Sequence, residues 1–514
     1  MDNNEVVCTL TSLALILYVA WLITTKRRRH RPLPPGPKPW PVVGNMFQLA
    51  ISPLPPHQTL SKLARGVHGP FMTLRLGSML TVVASSSSAA REVLRDCDVA
   101  LAGRKIYEAM KGERGKSSEG SLITAQYGAY WRMLRRLCTT QFFVTRRLDS
   151  MCNVRARCMD QMVRFVEEAG QNGTKTVDIG RYFFLMAFNL IGNLMFSKDL
   201  LDPDSKQGSK FFYHAGKVME FAGRPNVSDF FPLLRFLDPQ GIRRQTQFHV
   251  ERAFEIAGEF IRERMEVMKS KGRDEKAKDY LDVLLEFRGD GPEEPSKFSS
   301  RTINVIVFEM FTAGTDTTTS TLEWALAELL HNPRTLTKLQ NELRTSTSQT
   351  LQEQDLPNLP YLQAVIKETL RLHPPLPFLV PHKAMSTCHI LNGQYTIPKE
   401  TQVLVNVWAI GRDPDTWPDP MIFRPERFLS NPNPRDFKGH DFEFLPFGSG
   451  RRMCPALPLA TRVLPMALGS MVRSFDWALA DGLRPEELDM SERMGITLRK
   501  AIPLEAIPIS FKGV

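Results

Sequence analysis

One cysteine stands where the chemistry is easiest to read. The segment Phe447-Gly-Ser-Gly-Arg-Arg-Met-Cys454-Pro-Ala-Leu-Pro-Leu-Ala460 places a single thiol on a glycine-rich loop, immediately before an apolar, helix-like run. That arrangement suits a thiolate offered to a haem iron, because a thiolate ligand pushes electron density through the metal and favours cleavage of an O–O bond. Such a thiolate needs protection from protonation. Gly448 and Gly450 let the chain approach a flat macrocycle, and backbone N–H groups of the turn, and of the helix after Pro455, can point at the sulfur and lower its basicity. Arg452, two residues before the cysteine, carries a planar fork of donors that fits a haem propionate. Read alone, Cys454 is more simply a buried structural thiol beside a turn, so the other motifs must decide.

Three further groupings bear on it. Ala313-Gly314-Thr315-Asp316-Thr317-Thr318 sits in a run from Thr302 to Leu330 whose first half (Val305, Ile306, Val307, Phe308, Met310, Phe311) reads as a buried helix. Gly314 has no side chain to hold a neighbour away, and the hydroxyls and acid after it allow the helix to open and hold water. A second reading stays open: Asp316 or Thr317 caps a separate helix, Thr318 to Leu330. Glu368 and Arg371, three apart, share one helix face, as do many exposed pairs that stabilise little. Trp131 and Arg135, four apart, set an indole donor and a guanidinium on one side of a helix, with Arg132 and Arg136 competing in the same basic cluster.

Phe447-x-x-Gly450-x-Arg452-x-Cys454 resembles the haem-binding signature of the cytochromes P450, and all four patterns follow in that family's order between Pro34 and the C-terminus. One departure is Ala456, where the family usually has glycine, which bears on local packing. The resemblance implies haem b (iron protoporphyrin IX) with Cys454 as axial ligand, and Asp316 with Thr317 organising proton delivery. It implies propionate contacts from Trp131 and Arg135, with Arg104, His382 and Arg452 as further candidates; His382 is otherwise a solvated histidine. Glu368 and Arg371 join Arg427, from Phe423-Arg-Pro-Glu-Arg-Phe428, in a structural triad. The implied activity is mono-oxygenation with dioxygen and two electrons from the flavoprotein NADPH-cytochrome P450 reductase. The acid-alcohol pair argues against relatives that only rearrange hydroperoxides.

Asn226-Val-Ser-Asp-Phe-Phe-Pro232 with Leu237-Asp-Pro-Gln-Gly241, the stretch Glu323 to Leu330, and the cysteine loop resemble plant A-type members, nearest the group of geraniol, iridoid and diterpene hydroxylases. By that resemblance Phe308, Phe311, Ala313, Phe378, Leu379 and Ile496 line an apolar pocket, although Phe308 and Phe311 read equally as helix-core packing. The substrate expected is a small terpenoid. A flavonoid, phenolic or alkaloid hydroxylase is the alternative, and a non-catalytic, membrane-anchored haem scaffold is the alternative of another class.

The 514 residues hold no internal repeat, and the patterns predict a mainly α fold with small β-sheets, the strand-like pieces being Phe71 to Val83 and Gln402 to Val407. Charged Lys269 to Lys278 and Gly289 to Ser300 read as surface loops. Three parts are expected: an anchor with a basic flank over 1–30, a proline-rich hinge over 31–44 that is otherwise a generic linker, and a catalytic domain over 45–514. Val6 to Thr25 is uncharged and long enough for a bilayer core. Acidic residues precede it and Lys26-Arg-Arg-Arg-His-Arg31 follows it, so the positive-inside rule predicts a single-pass endoplasmic reticulum protein with a cytosolic catalytic domain. Seven scattered cysteines without CxxC pairs fit a reducing compartment and no zinc site. That topology also makes the Asn172 and Asn226 acceptor motifs poor glycosylation sites. The net charge of +11 comes without a nucleic-acid recognition motif, which excludes nucleic acid as the expected partner. Membrane lipid and an acidic reductase fit it better, with Arg132, Arg136 and Arg451 as candidate contacts.

Overall fold

The computed structural model describes residues 32–111, 120–201, 206–270, 279–346, 350–429 and 435–511. The expected membrane span and its basic flank therefore lie outside the described residues, as does 271–278 of the expected charged loop; Lys269 and Ser270 still belong to a helix. Ten helices of at least eight residues occur among those described: α1 Pro56–Leu63, α2 Ala129–Leu137, α3 Cys152–Gly170, α4 Ile179–Phe196, α5 Lys206–Ala222, α6 Ile242–Ser270, α7 Ser300–His331, α8 Pro333–Ser346, α9 Pro360–Leu372 and α10 Leu457–Ser474. Twelve short strands accompany them: β1 Phe71–Leu76, β2 Met79–Ala84, β3 Gly103–Arg104, β4 Val177–Asp178, β5 His382–Lys383, β6 Cys388–Ile390, β7 Tyr395–Ile397, β8 Gln402–Val405, β9 Phe475–Leu479, β10 Glu492–Met494, β11 Leu498–Lys500 and β12 Glu505–Ser510.

The apolar run around Gly314 becomes one uninterrupted helix of 32 residues, α7. Ser299 caps it, its hydroxyl accepting from Thr302 N at 3.0 Å. Thr312, Thr315, Thr317, Thr318, Thr319 and Thr321 each donate to the carbonyl four residues back. Their hydroxyls are thus satisfied inside the helix rather than ending it, so the reading of Asp316 or Thr317 as the cap of a second helix is overturned. A side chain at Gly314 would begin 3.0 Å from Ile191 Cδ1 of α4, so the glycine sets how closely these two helices pack. α4 is long and apolar enough to cross a membrane, yet most of it is buried against α3 and α7. Phe183, Phe188 and Phe311 are each at most 1% exposed in this core, and full burial of a phenylalanine contributes about 1.5–3 kcal/mol.

The main sheet runs β1-β2-β8-β5-β3. Its register puts His382 of β5 directly opposite Arg104 of β3, which brings together two residues 278 positions apart. The strand after Thr401 ends at Val405, where Asn406 caps a short turn of helix at Val407. β10 and β11 form a hairpin whose turn, Gly495 to Thr497, reaches the central cavity. The proline-rich segment lies along these sheets: Pro35 O accepts from Thr73 N at 2.8 Å, and Pro32 O from Thr396 N at 3.0 Å. Glu368 of α9 receives Arg371 bidentately at 2.7 and 2.8 Å, Arg427 Nε at 2.9 Å, and the backbone N–H of Arg424 at 2.8 Å. The triad sits in the interior and ties α9 to the segment that leads to the cysteine loop. Asn226 is 2% exposed and caps a helical turn, a poor glycan acceptor on geometric grounds as well.

Candidate active site

A cavity of about 840 Å³ separates the cysteine loop from the middle of α7. Gly448 and Gly450 adopt φ of +71° and +65°, a region that disfavours side chains, and a Cβ on Gly450 would lie 2.2 Å from Leu94 O. The loop they form brings Cys454 to the cavity wall, where Ala456 and Leu457 N–H groups donate to its sulfur. Burial pushes the thiol up, while Ala456 N–H, Arg135 and Leu457 N–H pull it down. Ala456 has φ of −89°, so alanine is accommodated where the family usually has glycine.

Four basic residues and an indole gather beside the cysteine loop. Arg452 donates to Ala102 O at 2.9 Å, Leu122 O at 3.2 Å and Ala125 O at 2.6 Å, and its guanidinium lies 4.6 Å from the centre of the Trp131 ring. Arg135 donates to Met453 O at 2.5 Å, and Arg104 to Val380 O at 2.6 Å. Burial, then the charge of Arg452, lowers Arg104 to about 9; burial, then Arg135, lowers Arg452 to about 10. His382 is buried, with Nδ1 2.8 Å from Leu101 O. Burial and the two arginines hold it well below the usual histidine range and therefore neutral. None of Arg104, Arg135 and Arg452 has a carboxylate among the charges acting on it. The buried indole N–H of Trp131 has no partner among the described residues. Clustered cations without anions and an orphaned donor are costly unless a ligand completes them.

Across the cavity, Ala313, Gly314, Thr317, Thr318 and Thr321 line one face of α7. Ala313 retains accessible surface although it lies mid-helix in the interior, because the cavity lies against it. Phe308, Phe378, Leu379 and Ile496 also line the cavity. Phe311 does not: it is 1% exposed, with its ring centre 4.8 Å from Phe188, 5.2 Å from Phe211 and 6.0 Å from Phe196. Its place in the pocket is thereby corrected to the helix core, since it points from α7 toward α4 and α5. Thr317 faces the cavity, whereas Asp316 turns toward β11, where it accepts from Arg499 and, at 3.3 Å, from Thr497 Oγ1. Arg499 is 41% exposed and so joins a buried acid to the surface.

Three residues with no sequence assignment belong to this region. Arg499 and Glu492, on the hairpin, sit in an unremarkable charged stretch that carries no signal. Glu309 did carry one, being a lone acid within the apolar run before Gly314; its carboxylate accepts from Leu122 N at 2.8 Å and from Ser121 Oγ.

A group that supplies two carboxylates to the cations and a metal to the thiol would satisfy these residues together, and haem has both. The residues present therefore fit haem. A family model for cytochrome P450 matches residues 34–504. Iridoid oxidase of Catharanthus roseus is 43% identical over 99% of this chain and 98% of its own length, and geraniol 8-hydroxylase of the same plant is 42% identical over 99% of each. A zebrafish cytochrome P450 solved with progesterone superposes with a TM-score of 0.73 at 26% identity, covering 88% of this chain and 100% of that one. The chain belongs to the cytochrome P450 family: it is a monooxygenase with haem b as cofactor, a redox partner and a hydrophobic substrate.

Proposed function

We propose that this protein hydroxylates a small terpenoid, drawing its electrons from NADPH through NADPH-cytochrome P450 reductase at the endoplasmic reticulum membrane. The observation that carries the reading is the Cys454 thiol and the Thr317 face of α7 lining one largely apolar cavity. The iridoid and geraniol enzymes that the chain resembles along its full length support the substrate class.

Bound through Cys454, haem supplies the activation of dioxygen for insertion of one oxygen atom into a C–H bond. The Ala456 and Leu457 N–H groups donate to the sulfur and lower its basicity, against the effect of burial. Trp131, Arg135, Arg452 and Arg104 would hold the propionates, whereas neutral His382 gives its one N–H to Leu101 O and has no donor left for them. Thr317 presents a hydroxyl to the cavity, and Asp316 takes protons from the Arg499 side and passes them toward it. Phe308, Ala313, Phe378, Leu379 and Ile496 exclude water and shape the substrate's position. Glu368, Arg371 and Arg427 maintain the fold.

Exposed Trp40, Phe47 and Ile51 near the N-terminus, and Leu233, Phe236 and Leu237 beyond α5, support lipid contact. Both groups are tied to the β1–β2 turn, through Gly77 N to Val43 O and Ser78 N to Phe230 O. For the reductase, Arg132, Arg136 and Arg451 remain the contacts proposed. Arg136 is engaged by Glu294, and Arg451 by Asp98, so docking there exchanges existing ion pairs.

The test is the carbon monoxide difference spectrum of the reduced protein beside Cys454→Ser, followed by titration with monoterpenols, diterpenes and flavonoids. A thiolate-type Soret band confined to wild type, with terpenoid-induced spin shifts and substrate-stimulated NADPH consumption, is expected. Spin shifts with flavonoids alone would move the substrate class, and a missing band or no NADPH response would favour the scaffold.

A further inference from the structure

One carboxylate in the cavity wall is used neither to hold haem nor to move protons. Glu309 lies on α7 two turns before Thr317, and Ala313 and Thr317 follow it at intervals of four residues on the cavity face. It is deeply buried yet keeps accessible surface, and it lines the cavity. Its oxygens accept from Ser121 Oγ, Leu122 N and Ile123 N. The same segment is fastened at its other edge by Arg452, through Leu122 O and Ala125 O. A carboxylate offers about four acceptor positions, so three donors leave about one unfilled. Leu122, Ile123, Val305 and Phe308 add apolar lining to the same cavity. Burial, opposed by the three hydrogen bonds, pushes the carboxyl up to about 7, which marks a group short of solvation. Such a group gains from a donor that the ligand carries in.

We infer that Glu309 is the polar anchor of the substrate: its open oxygen accepts a hydrogen bond from a hydroxyl at one end of an otherwise apolar ligand. This rests on the terpenoid reading and narrows it to terpenoid alcohols rather than terpene hydrocarbons. Eight residues of helix separate Glu309 from Thr317, an axial rise of about 12 Å. A ligand tethered at Glu309 and laid along α7 past Ala313 has its far end beside Thr317. Oxidation is therefore directed to carbons remote from the hydroxyl.

The experiment is a spectral titration of full-length holoenzyme at pH 8 with matched pairs: geraniol and its methyl ether, and a phenol and its methyl ether. Wild type should bind the alcohol tighter than the ether by on the order of tenfold or more, because an ether cannot donate to the carboxylate. Glu309→Leu should bring that ratio close to one, whatever loosening of the 121–126 segment does to both affinities. Glu309→Gln, which can still accept from Leu122 N, guards against loss of the 121–126 segment, and it should lower the ratio because an amide donates to ethers and alcohols alike. Equal binding of alcohol and ether by wild type, or a ratio that survives in both variants, would overturn the anchor. Spin shifts from the phenol pair alone would sink the terpenoid reading while leaving Glu309 to be judged on the phenol ratio, and silence from both pairs would sink both. Product oxidised at the hydroxyl-bearing carbon would overturn the orientation.

Discussion

Glu492→Gln removes one charge behind the cavity without changing side-chain shape. Glu492 opens β10, two residues before Met494, where the hairpin turns into the cavity wall. Its oxygens lie 2.8 Å from His57 Nε2, 2.9 Å from Gln58 Nε2 and 3.2 Å from Trp408 Nε1, with His373 Nδ1 at 3.5 Å and Arg412 at 3.9 Å. Burial alone would raise this carboxyl, but close-lying His373 and hydrogen-bonded His57, with the charge of Arg412, hold it far below the usual carboxylate range. An amide keeps one acceptor oxygen. Whichever way it turns, its NH2 faces either His57 and Gln58 or Trp408 and Arg412, so donors lose their acceptor and buried Arg412 loses its anion. Breaking a buried pair from one side costs about 3–5 kcal/mol, and that is the loss expected. The assay is thermal loss of the thiolate carbon monoxide band, run from neutral to acid pH. Because Glu492 titrates lower when folded than unfolded, its contribution is complete above the ordinary glutamate value of about 4.3. It fades as pH falls further toward the folded value. The gap between wild type and variant should be widest at neutral pH and narrow with acid. Equal thermal loss at pH 7, or a gap that widens as pH falls below about 4, would refute the assignment.

The two phenylalanines of α7 should separate cleanly. Phe311→Ala leaves a hole among Phe188, Phe196 and Phe211 and costs about 3–5 kcal/mol of stability, read as earlier thermal loss of the carbon monoxide band. Phe308→Ala mainly changes ligand affinity in spectral titration, and similar stability losses in both variants would count against the division. Arg499→Ala frees Asp316 from its surface partner while leaving Cys454 and the cavity wall intact. The fraction of NADPH electrons appearing in product should drop, with peroxide rising, at unchanged substrate affinity; an unaltered product-to-NADPH ratio would remove Arg499 and Asp316 from the proton path.

What could be read from the sequence is what acts through local spacing. Cys454 with its glycines, Thr317 after Gly314, and Glu368 with Arg371 each lie within one turn or one loop, so the residue types alone constrain what they can do. Phe308 and Phe311 show where spacing stops being enough. Three residues apart on a helix they point only about 60° from each other, and the edge between cavity and core falls inside that angle. Arg104 and His382 meet through strand register, which no local pattern announces. The buried acids were least legible, and they share a physical role. Glu309 accepts from Leu122 N, Glu323 from Leu504 N at 2.9 Å, and Glu342 from Tyr361 N and Leu362 N at 2.8 Å each. Each takes up backbone donors that no helix or ladder partner satisfies, in a loop or, for Glu342, in the first turn of α9. A lone acid inside an apolar helical run is therefore a statement about a distant loop. In the case of Glu309 that loop forms the substrate cavity, so fastening the wall and selecting the ligand fall to the same carboxylate.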